Sequence, residues 1–156
     1  MTAFPRWLVT ACALLAAATA FGQEHAHEHG TGSVLEQLTL DNGKPWATDA
    51  PLREAMERIR SGMRQAHPRA GLTAGQSAAL AGRVRAEVNY MIANCKLPPA
   101  ADANLHLVIA HLSQGAQQME NATDPAERER GVATVQEALR AYGTHFQHPG
   151  WHKPKR

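Results

Sequence analysis

The sequence predicts an all-α fold, an antiparallel up-down four-helix bundle preceded by a flexible histidine-rich tail. Three observations predict it. Apolar residues recur at spacings of three and four in four separate stretches, Pro, Gly and capping residues break the chain between them, and no run reads as a sheet.

The chain of 156 residues has room for one domain, and its first 22 residues are expected to lie outside it. "MTAFPRWLVTACALLAAATAFG" carries one charge, Arg6, then an apolar run from Trp7 to Ala18, and small residues ending in Ala18-Thr19-Ala20. That is the layout of a secretory signal peptide cleaved near Ala20 or Gly22. The run is too short and too alanine-rich for a membrane span, so no stable membrane insertion is expected. Val9-Thr10-Ala11-Cys12 loosely resembles a lipoprotein cleavage box, but the apolar run continues past Cys12. The organisation expected is a signal peptide over 1–22, a histidine-rich tail with a short extended segment over 23–47, a bundle over 48–148 and a C-terminal tail over 149–156. The mature chain is expected to be soluble and periplasmic.

Loss of residues 1–22 removes Arg6 alone, leaving 15 Lys and Arg against 14 Asp and Glu. A net charge near +1 makes no electrostatic case for nucleic acid or anionic lipid. Cys95 is then the single cysteine, so an intramolecular disulfide is excluded. A lone thiol in an oxidising compartment is buried and inert, paired with another molecule, or bound to a metal.

Between His25 and Thr48, "GTGS" is flexible, "VLEQLTL" is a short apolar patch and "DNGKPW" signals a turn. A short extended segment or hairpin there lets Trp46 cap a core. The first helix is expected from about Asp49 to Gln65: Asp49 is an N-cap, Pro51 lies in the first turn, and Leu52, Met56, Ile59 and Met63 form its stripe. The second starts at Thr73, with Gln76 completing a capping box, and runs to about Cys95 with Leu80, Val84, Val88, Met91 and Cys95 in one row. "KLPPA" breaks the chain. The third, from about Asp102 to Asn121, buries Leu105, Val108, Ile109, Leu112, Ala116 and Met119. The fourth has Asp124 as N-cap and Pro125 at its first position, buries Val132, Val135, Leu139, Tyr142 and Phe146, and stops at "HPGW".

No Ser-His-Asp signature, glycine-rich phosphate loop, His-Glu-x-x-His or Cys-x-x-Cys occurs, so an enzyme is not expected. Three groups of metal-binding side chains stand out instead. His25, His27 and His29 alternate with Glu24 and Glu28 close by; such a chain can close on one ion, and imidazole suits copper, nickel and zinc. Glu87, Met91 and Cys95 form one row along the second helix, and the Pro-Pro turn returns the third helix so that His106 lies near their level. Thiolate, thioether and imidazole together suit a soft ion such as Cu(I), although Cys and Met are also ordinary core residues. His145 and His148 are three apart at the end of the fourth helix, spaced to share an ion, but Pro149 disfavours helix at His148. His67, His111 and His152 read as solvated positions.

"PLREAMERIRSGM" and "LRAYGTHFQH" resemble the soluble periplasmic b-type cytochromes that hold haem in a four-helix bundle. That resemblance implies haem b with Met56 and His145 as axial ligands and electron transfer as the function. Leu72-Thr73-Ala74-Gly75-Gln76 resembles one copy of the Leu-Thr-x-x-Gln motif of exported helical chaperones, which implies a stress chaperone or interaction module; the second copy is missing. The whole chain is similar to uncharacterised small exported proteobacterial proteins with a His-rich start, an "NCKLPP" turn and an "HFQHPGW" ending, which supports export and fold. The reading the residues favour is a periplasmic transition-metal binding protein. It takes copper first, zinc or nickel otherwise, for sequestration or delivery to a metal-handling protein, and a homodimer is compatible with it.

Overall fold

The computed structural model describes residues 33–66 and 71–151. Over these residues the chain forms four α-helices, one short 3-10 helix and no strand, with packing consistent with a four-helix bundle. The helices are α1 (Ala50–Ala66), α2 (Ala74–Asn94), α3 (Pro99–Asn121) and α4 (Pro125–His145). Among these residues no helix is long and apolar enough to cross a membrane. The expected signal peptide and the tail histidines His25, His27 and His29 lie outside the described residues, as do His67 and His152.

Each helix begins where its capping chemistry directs. The Asp49 carboxylate accepts from Leu52 N at 3.0 Å and starts α1. Thr73 and Gln76 exchange both bonds of a capping box at α2, Gln76 N to Thr73 Oγ1 at 3.3 Å and Thr73 N to Gln76 Oε1 at 2.9 Å. Asp124 accepts from Glu127 N at 2.8 Å ahead of Pro125 in α4. Helix α3 starts at Pro99, about one turn earlier than expected near Asp102. A proline at the first helical position has its φ already set and has no N–H to leave unpaired, so the Pro98-Pro99 break itself nucleates the helix.

The apolar stripes turn inward and merge into one core. It includes Leu52, Met56, Ile59 and Met63 of α1, Leu80, Val84, Val88 and Met91 of α2, Leu105, Val108 and Leu112 of α3, and Val132, Val135 and Tyr142 of α4. The tightest approach is between α3 and α4, where Gly115 and Gly131 face each other. A Cβ on Gly131 would lie 2.7 Å from Met119 N, and one on Gly115 would lie 2.9 Å from Val135 N. The two backbones can be this close because neither glycine carries a side chain.

Two segments outside the helices close the bundle. Val34–Gln37 is a 3-10 helix rather than an extended segment, because Ser33 Oγ accepts from Leu35 N and bends the chain locally. It packs on α3, and Thr39 N donates to Asn104 Oδ1 at 2.8 Å. Asp41 and Lys44 then exchange two backbone bonds around Asn42 and Gly43, both at positive φ. At the start of the expected C-terminal tail, Pro149 and Gly150, the latter at φ +84°, turn the chain so that Trp151 N donates to His148 O and the Trp151 ring is buried. Trp46 joins the two closing segments, donating from its backbone to His145 O at 2.7 Å and accepting from Gln147 N at 2.8 Å.

Candidate functional site

Polar and aromatic side chains gather where α1 starts, α2 ends and α4 ends. Asp49 links two of these elements. Its Oδ1 caps α1, while its Oδ2 accepts from Lys96 N at 2.7 Å, just past the end of α2. Cys95, at the C-cap of α2, has its thiol in the field of the Asp49 carboxylate. Burial first, then the charges of Asp49 and Asp102, push this thiol up to about 12. Cys95 is therefore a protonated donor at neutral pH, in surroundings that oppose a thiolate.

On α1, Arg53, Glu57 and Arg60 continue the polar face at spacings of four and three. Arg53 Nη1 donates to Thr48 O at 2.6 Å. Arg60 pairs with Glu57, donates from Nη1 to Trp151 O, and lies over the Trp151 ring with its guanidinium carbon 4.2 Å from the centroid. Across from it, Tyr142 of α4 stacks on Phe146 at 5.3 Å between centroids and meets Trp151 edge-on at 4.8 Å. The Tyr142 hydroxyl pairs with His148 Nδ1 at 3.0 Å. Burial raises the Tyr142 phenol well above its ordinary value, so it stays protonated and able to donate to His148. Burial, with Arg60 and Arg53 nearby, holds His148 below the ordinary imidazole value; Glu57 acts the other way.

The structure separates the residues expected to share the second metal site. Met91 is buried in the core, Cys95 faces Asp49, and His106 is exposed, with its Nδ1 2.9 Å from Asp102 O of its own helix. Glu87 is engaged by Arg58 at 2.8 Å. His145 and His148 are likewise directed apart: His145 Nδ1 lies 2.9 Å from Ala141 O, one turn back, whereas His148 turns to Tyr142. Among the described residues no three His, Cys, Asp or Glu side chains are grouped to hold a metal ion.

Met56 is 0 % exposed, packed in the same core as Leu52, Ile59 and Tyr142.

His111 corrects the sequence reading directly. Expected in solvent, it is buried, only 6 % exposed, with Nε2 3.2 Å from Glu137 Oε2 on α4 and a buried Nδ1 that has no hydrogen-bond partner. Sequence reasoning also missed Arg53, Arg60 and Trp151. The spacing of Arg53, Glu57 and Arg60 was a visible signal of a second ordered face on α1; nothing local marked Trp151 as core.

No protein-family model, no curated protein and no solved structure matches the chain.

Proposed function

We propose that this is an exported, periplasmic, non-enzymatic protein that binds a transition metal as cargo, copper first, with His25, His27 and His29 as the capture element. The observation that carries the reading is the alternation of three imidazoles with Glu24 and Glu28 immediately after a stretch laid out as a signal peptide. Imidazole nitrogens two residues apart can reach one ion without a preformed pocket, and a neighbouring carboxylate can complete or orient the shell. The described chain starts four residues beyond His29, at Ser33, and Thr39 ties it to Asn104 of α3. The bundle then serves as the folded carrier of the ligand segment. The protonation of Cys95 and the solvent position of His106 favour the tail over the Met91, Cys95 and His106 group as the place where metal is taken up.

An up-down antiparallel order of the helices belongs to the same proposal. It is supported by the partner pairs Glu54 with Tyr90 and Arg58 with Glu87 between α1 and α2. His111 with Glu137 and Gln118 with Thr134 run in the same opposed sense between α3 and α4.

Elemental analysis and an absorption spectrum of the protein purified from its native compartment test the reading. Copper, zinc or nickel at about one ion per chain is the result expected from a single imidazole cluster. Protein free of all three metals contradicts it, and a Soret band replaces it with the haem reading.

A further inference from the structure

We propose that the segment 148–151 is a pH-sensitive strap, which at neutral pH fastens the end of α4 to α1 and which opens when the His148 ring gains a proton. The geometry makes one small segment responsible for this fastening. Helices α1 and α4 meet less closely along their lengths than the sequential pairs do. At this end the gap is filled by side chains. The Trp151 ring lies between the Arg60 guanidinium at 4.2 Å and the Tyr142 ring at 4.8 Å, and Arg60 also bonds the Trp151 carbonyl. His148 completes the group, 4.8 Å from Trp151 and edge-on to Tyr142 at 5.8 Å.

The hydrogen bond between Tyr142 and His148 gives the strap its chemistry. Tyr142 is fully buried, with its hydroxyl 3.0 Å from His148 Nδ1, and we assign His148 the Nε2–H tautomer, in which that hydroxyl donates to a bare Nδ1. A proton on Nδ1 turns that acceptor into a donor, so the bond persists only if the phenol hydrogen turns elsewhere in an apolar, closed site. The surrounding charges add to this. Arg53 and Arg60 of α1 oppose a cationic ring; Glu57 of the same helix favours one but is itself held by Arg60 and Arg64. Burial and the two arginines outweigh Glu57, since the ring is held below its ordinary value.

The direction of the pH effect follows. A histidine that the folded state keeps neutral contributes stability that is complete above the unfolded value of about 6.5 and lost as pH falls below it. An open strap uncovers the Trp151 indole and the Tyr142 and Phe146 ring faces while α1 to α4 keep their own hydrogen bonds.

The test follows the Trp151 indole N–H resonance, assigned with Trp151→Phe, in the full chain from pH 8 to pH 5, with helicity recorded in parallel. The expected result is a transition of the Trp151 signal below pH 6.5 with helicity unchanged, and loss of that transition in His148→Gln, whose amide can still pair with Tyr142. A Trp151 signal that stays flat to pH 5 overturns the proposal. So does a transition that survives in His148→Gln, or one that coincides with loss of helicity. Should His148→Gln fail to fold, the ring protons of His148 in the unaltered chain decide. A midpoint below 6.5 that coincides with the Trp151 transition supports the strap, and a midpoint elsewhere overturns it.

Discussion

Asp49 acts on three groups at once: it caps α1, holds the Lys96 amide beyond α2, and by its charge helps keep the Cys95 thiol protonated. A sequence reading can assign the first role from the residue type and its place before Pro51, but not the other two, which depend on where a second helix ends. The same limit applies to Cys95. Its spacing from Met91 is that of a ligand pair, and only the neighbouring carboxylates reveal that its proton is retained. The consequence is measurable. At pH 8, iodoacetamide should alkylate Cys95 on the order of a hundredfold more slowly than a free cysteine, since a thiol held near 12 offers little thiolate. Asp49→Asn should raise that rate by removing a charge that opposes the thiolate, while leaving α1 capped, since the Asn amide oxygen accepts from the Leu52 N–H as well as a carboxylate does. An alkylation rate equal to that of free cysteine would contradict this account of the residue.

The four helices were legible in the sequence because period, cap and breaker agreed in each one. Thr73 with Gln76, and Asp124 with Pro125, mark their helix starts to the residue. What the pattern did not carry is the closeness of α3 and α4, because a glycine inside a helix reads only as a weak point until its neighbour is known. Glycines that look alike in sequence should therefore behave oppositely. Gly131→Ala places a Cβ 2.7 Å from Met119 N, a backbone atom that cannot turn aside, and should destabilise the protein by about 2–3 kcal/mol in denaturant unfolding. Gly82→Ala meets nothing within 4 Å and should stabilise α2 by about 0.5–1 kcal/mol through helix propensity and a less flexible unfolded chain. Equal effects of the two substitutions would mean that the α3 to α4 contact is looser than described. His111 depends on the same contact, since the helix that the glycines admit is the one that supplies Glu137.

At the scale of the whole molecule, the bundle is closed by chain that lies outside its helices. Trp46 bonds the backbone at His145 and Gln147, Thr39 bonds Asn104, and Trp151 fills the seam between α1 and α4. The turn residues Asn42-Gly43 and Pro149-Gly150 were visible in the sequence, but the surfaces onto which those turns deliver Trp46 and Trp151 were not. A turn has a local signature, whereas its destination is set by residues a hundred positions away. The candidate metal ligands divide in the same way. Residues expected to converge from different helices are directed elsewhere, while the alternating imidazoles of the tail need no tertiary contact to reach one ion. The central claim is thus that this segment, and not the bundle, takes up copper. A Cu(II) titration of the mature chain, followed by electron paramagnetic resonance, tests it against a His25→Ala, His27→Ala, His29→Ala variant. The account predicts nitrogen-ligated copper at about one ion per chain, lost in the triple variant and unchanged in Cys95→Ser and His106→Ala. Equal binding by the triple variant, or its loss in Cys95→Ser, would contradict it.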